Sequence, residues 1–194
     1  IDLFSTPFDH SAVDYLEKMD IPVFKIASFE VVDIPLVRRI AQTGKPIIMS
    51  TGMASLSEID EAVKTIRSEG NEQFMLLHCI SSYPAPPEEM NLLTMPHLSA
   101  AFGVPAGLSD HSEGIAAAIG SVALGACAIE KHFIRDRKMG GPDSPFSIET
   151  TELEQLVRNV RTLEKALGKV DYELTERERE SLVFRRSLFV VADI

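Results

Sequence analysis

Cysteine is scarce in this chain. Its 194 residues hold two, Cys79 and Cys127, and neither belongs to a Cys-x-x-Cys pair. That argues against a disulfide framework or a zinc ribbon. Both lie in apolar runs, so both are expected as free, buried thiols. Positive charge is also short: 19 Lys and Arg face 29 Asp and Glu, for a net charge of −10. Such a chain gains nothing from a phosphate backbone or an anionic lipid surface, which argues against nucleic-acid and membrane partners. An anionic substrate would have to be met by local cations or by a metal. No stretch approaches the ~20 apolar residues of a membrane span, and no signal peptide is visible. The chain opens at Ile1 in strand-like sequence and closes in the apolar run 187–194. Both ends are therefore expected to be cut points. No Gly-x-Gly-x-x-Gly follows the first strand-like run, which weakens a dinucleotide-binding fold.

What is present is ordinary globular composition, 45% hydrophobic and 25% charged, with length enough for one sizeable core. Short apolar or β-branched runs recur: Leu3–Thr6, Val23–Ser28, Pro46–Thr51, Phe74–Ile80, Pro105–Ser109 and Cys127–Phe133. Continuous apolar runs suit strands of a parallel sheet, buried on both faces. Helical patterns separate them at 11–19, 35–42, 55–68, 96–102, 114–124 and 151–167. Ser55-Leu-Ser-Glu58 and Thr151-Glu-Leu-Glu154 read as capping boxes. Leu153, Leu156, Val157, Val160, Leu163 and Leu167 form an apolar stripe at helical period. Strand–helix alternation implies parallel βα units, and polar residues gather at the strand C-termini, where (β/α) barrels carry their chemistry. The expected fold is α/β: a TIM (β/α)8 barrel, here a partial barrel of about six βα units over residues 1–168. Residues 169–194 read as a linker into a further domain, with the charge run 176–180 a solvated face.

The strand ends carry the candidate chemistry. His111 and His132 close consecutive strands, and neighbouring parallel strands lie about 4.8 Å apart. Two imidazoles at one height can share a divalent ion such as Mn, Fe, Co or Zn, with coordination positions left open. Lys25 ends an apolar strand, where an ammonium is costly unless it meets an anion. It is either salt-bridged to Glu30 or another carboxylate, a Schiff-base lysine, or a holder of phosphate or carboxylate. Thr6, Ser28, Ser50, Ser81 and Ser109 add hydroxyls around the same rim. Glu30 and Asp143 are candidate proton movers or sugar-hydroxyl partners, with an Asx turn the alternative for Asp143. His78 reads as a satisfied core histidine, His10 and His97 as surface residues. Tyr83, before Pro84, either lines the pocket or braces the turn.

Six segments appear together and in order: Lys25-Ile-Ala-Ser-Phe-Glu30, Ser50-Thr-Gly-Met53, Ser81-Ser-Tyr-Pro84, Gly107-Leu-Ser-Asp-His111, Glu130-Lys-His-Phe133 and Gly141-Pro-Asp143. This set resembles the sialic-acid synthase family over essentially the whole chain. Ala27, Phe29, Ser81 and the run Gly140–Ser147 fit its pseudaminate branch better than its neuraminate branch. The resemblance implies an eight-stranded barrel followed by an antifreeze-like (SAF) domain, in a cytoplasmic, domain-swapped homodimer. The first two βα units and most of the small domain would lie outside this chain. It also implies His111 and His132 as ligands of Mn²⁺, with Mg²⁺ or Co²⁺ as alternatives. Thr6, Lys25, Ser28, Ser50, Ser81, Tyr83 and Ser109 would line a phosphoenolpyruvate site, and Glu30 and Asp143 would contact an N-acetylated amino sugar. The implied reaction is an aldol-like condensation with release of phosphate. The alternatives are neuraminate or legionaminate synthesis from an N-acetylmannosamine-type sugar, a Schiff-base aldolase built on Lys25, and a fragment inactive by itself.

Overall fold

The computed structural model describes residues 1–186 and residue 191. The elements run α1 (His10–Lys18), β1 (Phe24–Ile26), α2 (Ile34–Ala41), β2 (Ile47–Ser50), α3 (Leu56–Ser68), β3 (Phe74–Cys79), α4 (Thr94–Phe102), β4 (Ala106–Asp110), α5 (Ala116–Ala123), β5 (Ile129–Lys131), α6 (Thr150–Leu167) and α7 (Glu176–Ser181). Helices and strands alternate from α1 to α6. The strands form one sheet in sequential order, with every pairing parallel. Each crossover carries a helix, as the right-handed βαβ unit requires. The sheet is curled, a partial (β/α) barrel.

The sheet holds five strands, one fewer than the sequence pattern leads one to expect. The segment Leu3–Thr6 contributes only a parallel bridge from Ser5 to Phe24, with the Lys25 N–H donating to the Ser5 carbonyl at 3.2 Å. Ile1, Leu3 and Phe4 are exposed. Among the described residues no strand pairs with the other side of this segment, and its contact with β1 stops at that one bridge.

The helix ends follow their capping chemistry. Asp33 accepts from the Leu36 N–H and opens α2 with Pro35 in its first turn, where the missing N–H costs nothing. The Ser55–Glu58 capping box opens α3 as expected. At α6 the box lies two residues earlier than expected: Glu149 and Glu152 form it, and Glu149 also accepts from the Arg137 N–H at 2.7 Å. That extra partner fixes the earlier start. The charge run 176–180 is exposed, within a helix opened by a further box from Thr175 and Glu178. Of the apolar run 187–194, only Val191 belongs to the described residues.

The core lies between the convex face of the sheet and the helices. Phe24, Ile26, Ile47, Met49 and Leu76 meet Val13, Leu36, Val37, Ile40, Ile59, Val63, Ile66 and Leu98 there. Each such side chain, fully buried, stabilises by about 1.5–3 kcal/mol. The stripe of α6 is less covered than its pattern implies. Leu156 is buried, while Leu153, Val157 and Leu167 are exposed, because the sheet ends at β5 and this face borders a hollow lined by Ile129, Phe133 and Ile148. Cys127 corrects the sequence expectation. Cys79 is buried but Cys127 is exposed, since it precedes the edge strand β5. Among the described residues no helix is long and apolar enough to cross a membrane.

Candidate active site

Strand alternation sends every second residue to the concave face of the sheet. At the C-terminal ends these residues are Lys25 on β1, Ser50 on β2, Cys79 on β3, Ser109 on β4 and Glu130 on β5. Together with Thr6, Ser28, Tyr83, His111 and His132 they line one cavity of about 400 Å³. Phe8 and Phe29, both largely exposed, form part of its apolar rim.

Lys25 is buried and its Nζ is surrounded by oxygen. It donates to Ser50 Oγ at 2.7 Å and to the Ile26 carbonyl at 3.1 Å, and lies 3.6 Å from Glu130 Oε2. Burial pulls its pKa down, and the Glu130 carboxylate only partly offsets this. The carboxylate partner is thus Glu130, not Glu30. Glu130 Oε1 accepts from Ser109 Oγ at 2.7 Å. Two hydrogen bonds and one ion pair therefore link Ser50 through Lys25 and Glu130 to Ser109, joining the two edge strands of the sheet.

The two histidines lie beside it. Their ring centroids are 5.3 Å apart, and Tyr83 stacks on His111 with centroids 4.3 Å apart. His111 Nδ1 meets the Ile80 carbonyl at 2.9 Å. Nδ1 therefore carries a proton, and in the neutral imidazole the lone pair is on Nε2. His132 Nδ1 lies 3.5 Å from Asp143 Oδ2. Burial, then the neighbouring His111, hold the His132 pKa below its ordinary value, which favours the neutral, metal-ligating imidazole. At a metal–nitrogen distance of about 2.1 Å, two imidazoles on one ion would have centroids roughly 4.6–5.3 Å apart for ligand angles between octahedral and tetrahedral. The donor set therefore fits a divalent ion held by His111 and His132. Among the described residues no group of three or more His, Cys, Asp and Glu side chains is placed to hold a metal. The remaining positions of such an ion would fall to water or substrate oxygen, the open arrangement that catalytic ions use.

Three expected site residues stand apart from the cavity lining. Ser81 sits behind it, with Oγ 3.9 Å from Cys79 Sγ. Glu30 ends the 3₁₀ turn Ser28–Glu30, and such a turn rotates each residue by about 120°, so Ser28 faces the cavity and Glu30 does not. Among the described residues Glu30 Oε2 is buried without a hydrogen-bond partner. Burial raises its pKa. Asp143 lies in the turn after Pro142, its carbonyl accepting from Ser147 N at 3.1 Å and Ser147 Oγ at 2.7 Å. Its carboxylate reaches the site only through His132.

Glu130 and Cys79 belong to the cavity and escape a sequence reading. Glu130 had a signal, since it precedes His132 by two on a strand and must share its face. For the Cys79 thiol, burial acts upward on the pKa, but hydrogen bonds from His111 and Ser28 outweigh it and the net shift is down. The His111 pKa is correspondingly raised, because the bonds to Cys79 and Ile80 overcome its burial. His78, on the opposite face of β3, is the satisfied core histidine expected, with Nε2 2.7 Å from the Met90 carbonyl. His10 and His97 are exposed.

Comparison with known proteins agrees with this geometry. The chain is 42% identical over 197 residues to the N,N'-diacetyllegionaminic acid synthase of Campylobacter jejuni, covering 100% of this chain and 59% of that protein. It is 41% identical over 193 residues to the pseudaminic acid synthase of Helicobacter pylori, covering 99% of this chain and 57% of that protein. This chain thus spans a little over half the length of these curated relatives. The crystal structure of an N-acetylneuraminic acid synthetase from Leptospira borgpetersenii superposes with a TM-score of 0.87 at 38% identity, over 97% of this chain and 66% of that one. A DAHP synthase from Thermotoga maritima, at 15% identity and TM-score 0.73 over 86% of this chain and 52% of that one, shares the fold. The NeuB family pattern matches residues 1–172, and the chain belongs to the NeuB family.

Proposed function

We propose that the protein carrying this chain is a nonulosonic acid synthase that condenses phosphoenolpyruvate with an N-acetylated amino sugar. One observation carries it: a buried lysine ringed by hydroxyls lies in the same cavity as two imidazoles spaced to share an ion. The Lys25 ammonium, with Ser28, Ser50, Ser109 and Thr6, would hold the phosphate and carboxylate of phosphoenolpyruvate. Tyr83 and the Phe8–Phe29 rim would exclude water from the reacting carbon. Held by His111 and His132, a divalent ion, Mn²⁺ in this proposal and Mg²⁺ or Co²⁺ in its variants, would supply Lewis acidity at the sugar's aldehyde oxygen.

The methylene carbon of phosphoenolpyruvate forms the new bond to the aldehyde carbon, and the aldehyde oxygen takes up a proton. Water adds to the former enol carbon, and the C–O bond to phosphate breaks. The chain's contribution is orientation and charge stabilisation. Glu130, bonded to Ser109 and beside Lys25, is placed to accept a proton or a sugar hydroxyl. Glu30 and Asp143 would act from behind this layer, Asp143 by orienting His132.

Within this proposal the sugar is a 2,4-diacetamido-2,4,6-trideoxy-altrose, on the strength of Ala27, Phe29, Ser81 and Gly140–Ser147. The near-equal identities to a legionaminate and a pseudaminate synthase make an N-acetylmannosamine-type sugar the second candidate. Residues 1–168 would be the catalytic barrel and 169–194 the path to an antifreeze-like domain, in a cytoplasmic homodimer. The test is phosphate release from phosphoenolpyruvate by the full-length protein with Mn²⁺, with each sugar in turn. Release with the altrose sugar alone is expected. Release only with N-acetylmannosamine would keep the chemistry and overturn the branch. Silence with both, together with a borohydride-trapped adduct on Lys25, would replace the synthase with a Schiff-base aldolase.

A further inference from the structure

Each of the two histidines is preceded on its strand by a buried charged residue, Asp110 before His111 and Lys131 before His132. Alternation turns both away from the cavity. They are Cα partners in the β4–β5 register. Lys131 Nζ lies 2.9 Å from Asp110 Oδ2, with side chains 4% and 0% exposed. Both also grip Ser112, the residue after His111. Asp110 Oδ1 accepts from the Ser112 N–H at 2.8 Å and from its hydroxyl at 2.6 Å. Lys131 Nζ donates to the Ser112 carbonyl at 2.7 Å. The result is a closed network that clamps His111 on both sides and His132 on one.

A buried ion pair contributes little net stability, and an apolar pair of similar volume serves a core as well or better. What it does specify is register. β5 is a three-residue strand at the edge of the sheet among the described residues, with three registered pairs to hold it. A slip of one residue would turn Lys131 into the cavity, turn His132 out of it, and leave Asp110 buried without a cation. We propose that Asp110 and Lys131, closed through Ser112, are positioning residues that fix the height of the two imidazoles relative to one another and so set the affinity of the site for a divalent ion. This rests on the metal-site assignment of His111 and His132 made above.

The test uses the full-length protein and reads metal binding directly. Mn²⁺ affinity is measured by spin-resonance titration, and the ligand field by the absorption spectrum of the Co²⁺ form, beside the melting temperature. Lys131→Met is expected to weaken Mn²⁺ binding about 10- to 100-fold, the range seen when groups behind metal ligands are removed. It should also shift the Co²⁺ bands, and Lys131→Arg should recover much of the affinity. A Lys131→Met protein with wild-type affinity and spectrum but a lower melting temperature would overturn the proposal and leave the pair purely structural. Should that variant fail to fold, the double variant Asp110→Leu/Lys131→Met, which leaves no buried charge unpaired, gives the same comparison: lost affinity supports positioning, wild-type affinity overturns it. His132→Ala separates this from the underlying assignment. Undiminished Mn²⁺ binding there would remove the metal site itself. Loss in His132→Ala without loss in Lys131→Met would sink the positioning role alone.

Discussion

Lys25 Nζ, on the first strand of the sheet, lies 3.6 Å from Glu130 Oε2 on the last. Five strands laid flat would hold these side chains roughly 19 Å apart, at about 4.8 Å per neighbour. Only a sheet curled towards closure lets them meet. Lys25 is deep in the cavity and poorly solvated, so Glu130 is the carboxylate that keeps it charged. Glu130→Gln is expected to lower kcat at least about 100-fold, the scale of a lost acid–base or charge partner, and to lower the melting temperature, because the buried Lys25 ammonium loses its anion. Phosphate release under saturating substrates checks this, and a rate near wild type would remove Glu130 from the working site.

Gly52 lies in the turn between β2 and α3, against the cavity residue Ser28. Its N–H donates to Ser28 Oγ at 3.0 Å, and a Cβ placed there would stand 2.4 Å from Ser81 Oγ and 2.8 Å from Ser28 Oγ. Gly52→Ala must push both hydroxyls aside. Overpacking of this kind costs about 1–3 kcal/mol, and here it falls on the anion cradle. The KM for phosphoenolpyruvate should rise about tenfold or more, the equivalent of about 1.4 kcal/mol. An unchanged KM would show that Ser28 does not hold the substrate.

Glu30 carries a buried oxygen without a partner, and its pKa is raised above the ordinary 4.5 chiefly by burial. The sign follows by linkage. Below 4.5 the carboxyl is neutral in both states and costs nothing. As pH climbs through the raised value, the unfolded chain ionises first, so native stability falls and stays lowered above it. Glu30→Gln never ionises. Its melting temperature should match wild type in acid and exceed it at neutral pH, with thermal melts across that range as the check. Parallel curves would show that the carboxylate is well solvated.

Gly107 and Gly120 should respond in opposite directions to the same substitution. A Cβ on Gly107 would stand 2.4 Å from the Ala128 carbonyl oxygen, which accepts from Leu108 N–H at 3.0 Å in the β4–β5 ladder. Gly107→Ala must spread the two strands that carry the histidines. It is expected to destabilise by about 1–3 kcal/mol or more. Gly120 lies inside α5 with its nearest neighbour, Leu92 Cδ1, at an ordinary 3.8 Å. Gly120→Ala should stabilise by about 0.5–1 kcal/mol through helix propensity. Thermal or urea unfolding of the pair decides both.

Much of the fold is legible in the sequence for local reasons. Continuous apolar runs mark β1 to β5 because a parallel sheet is covered on both faces. Ser55 and Glu58 announce α3 because orphan N–H groups at a helix start need side-chain acceptors. His111 and His132, ending consecutive strands, point to a shared ion by period and spacing alone. Where local signals compete the sequence misleads. Arg137, twelve residues away, decides that Glu149 rather than Thr151 opens α6, and the end of the sheet at β5 decides that Cys127 is exposed.

Sequence alone thus determined the alternation of strands and helices, the end of the sheet that carries chemistry, and the residue types gathered there. It could not choose a partner for Lys25, because Glu30 and Glu130 are both acidic and only one lies near it in the chain. Curvature made that choice by bringing β5 round to β1. A 3₁₀ turn after β1 set Glu30 behind the cavity, and the β4–β5 register set Asp110 against Lys131. The Lys25–Glu130 and Asp110–Lys131 pairings join residues 105 and 21 positions apart, separations that local propensity does not encode and tertiary packing fixes.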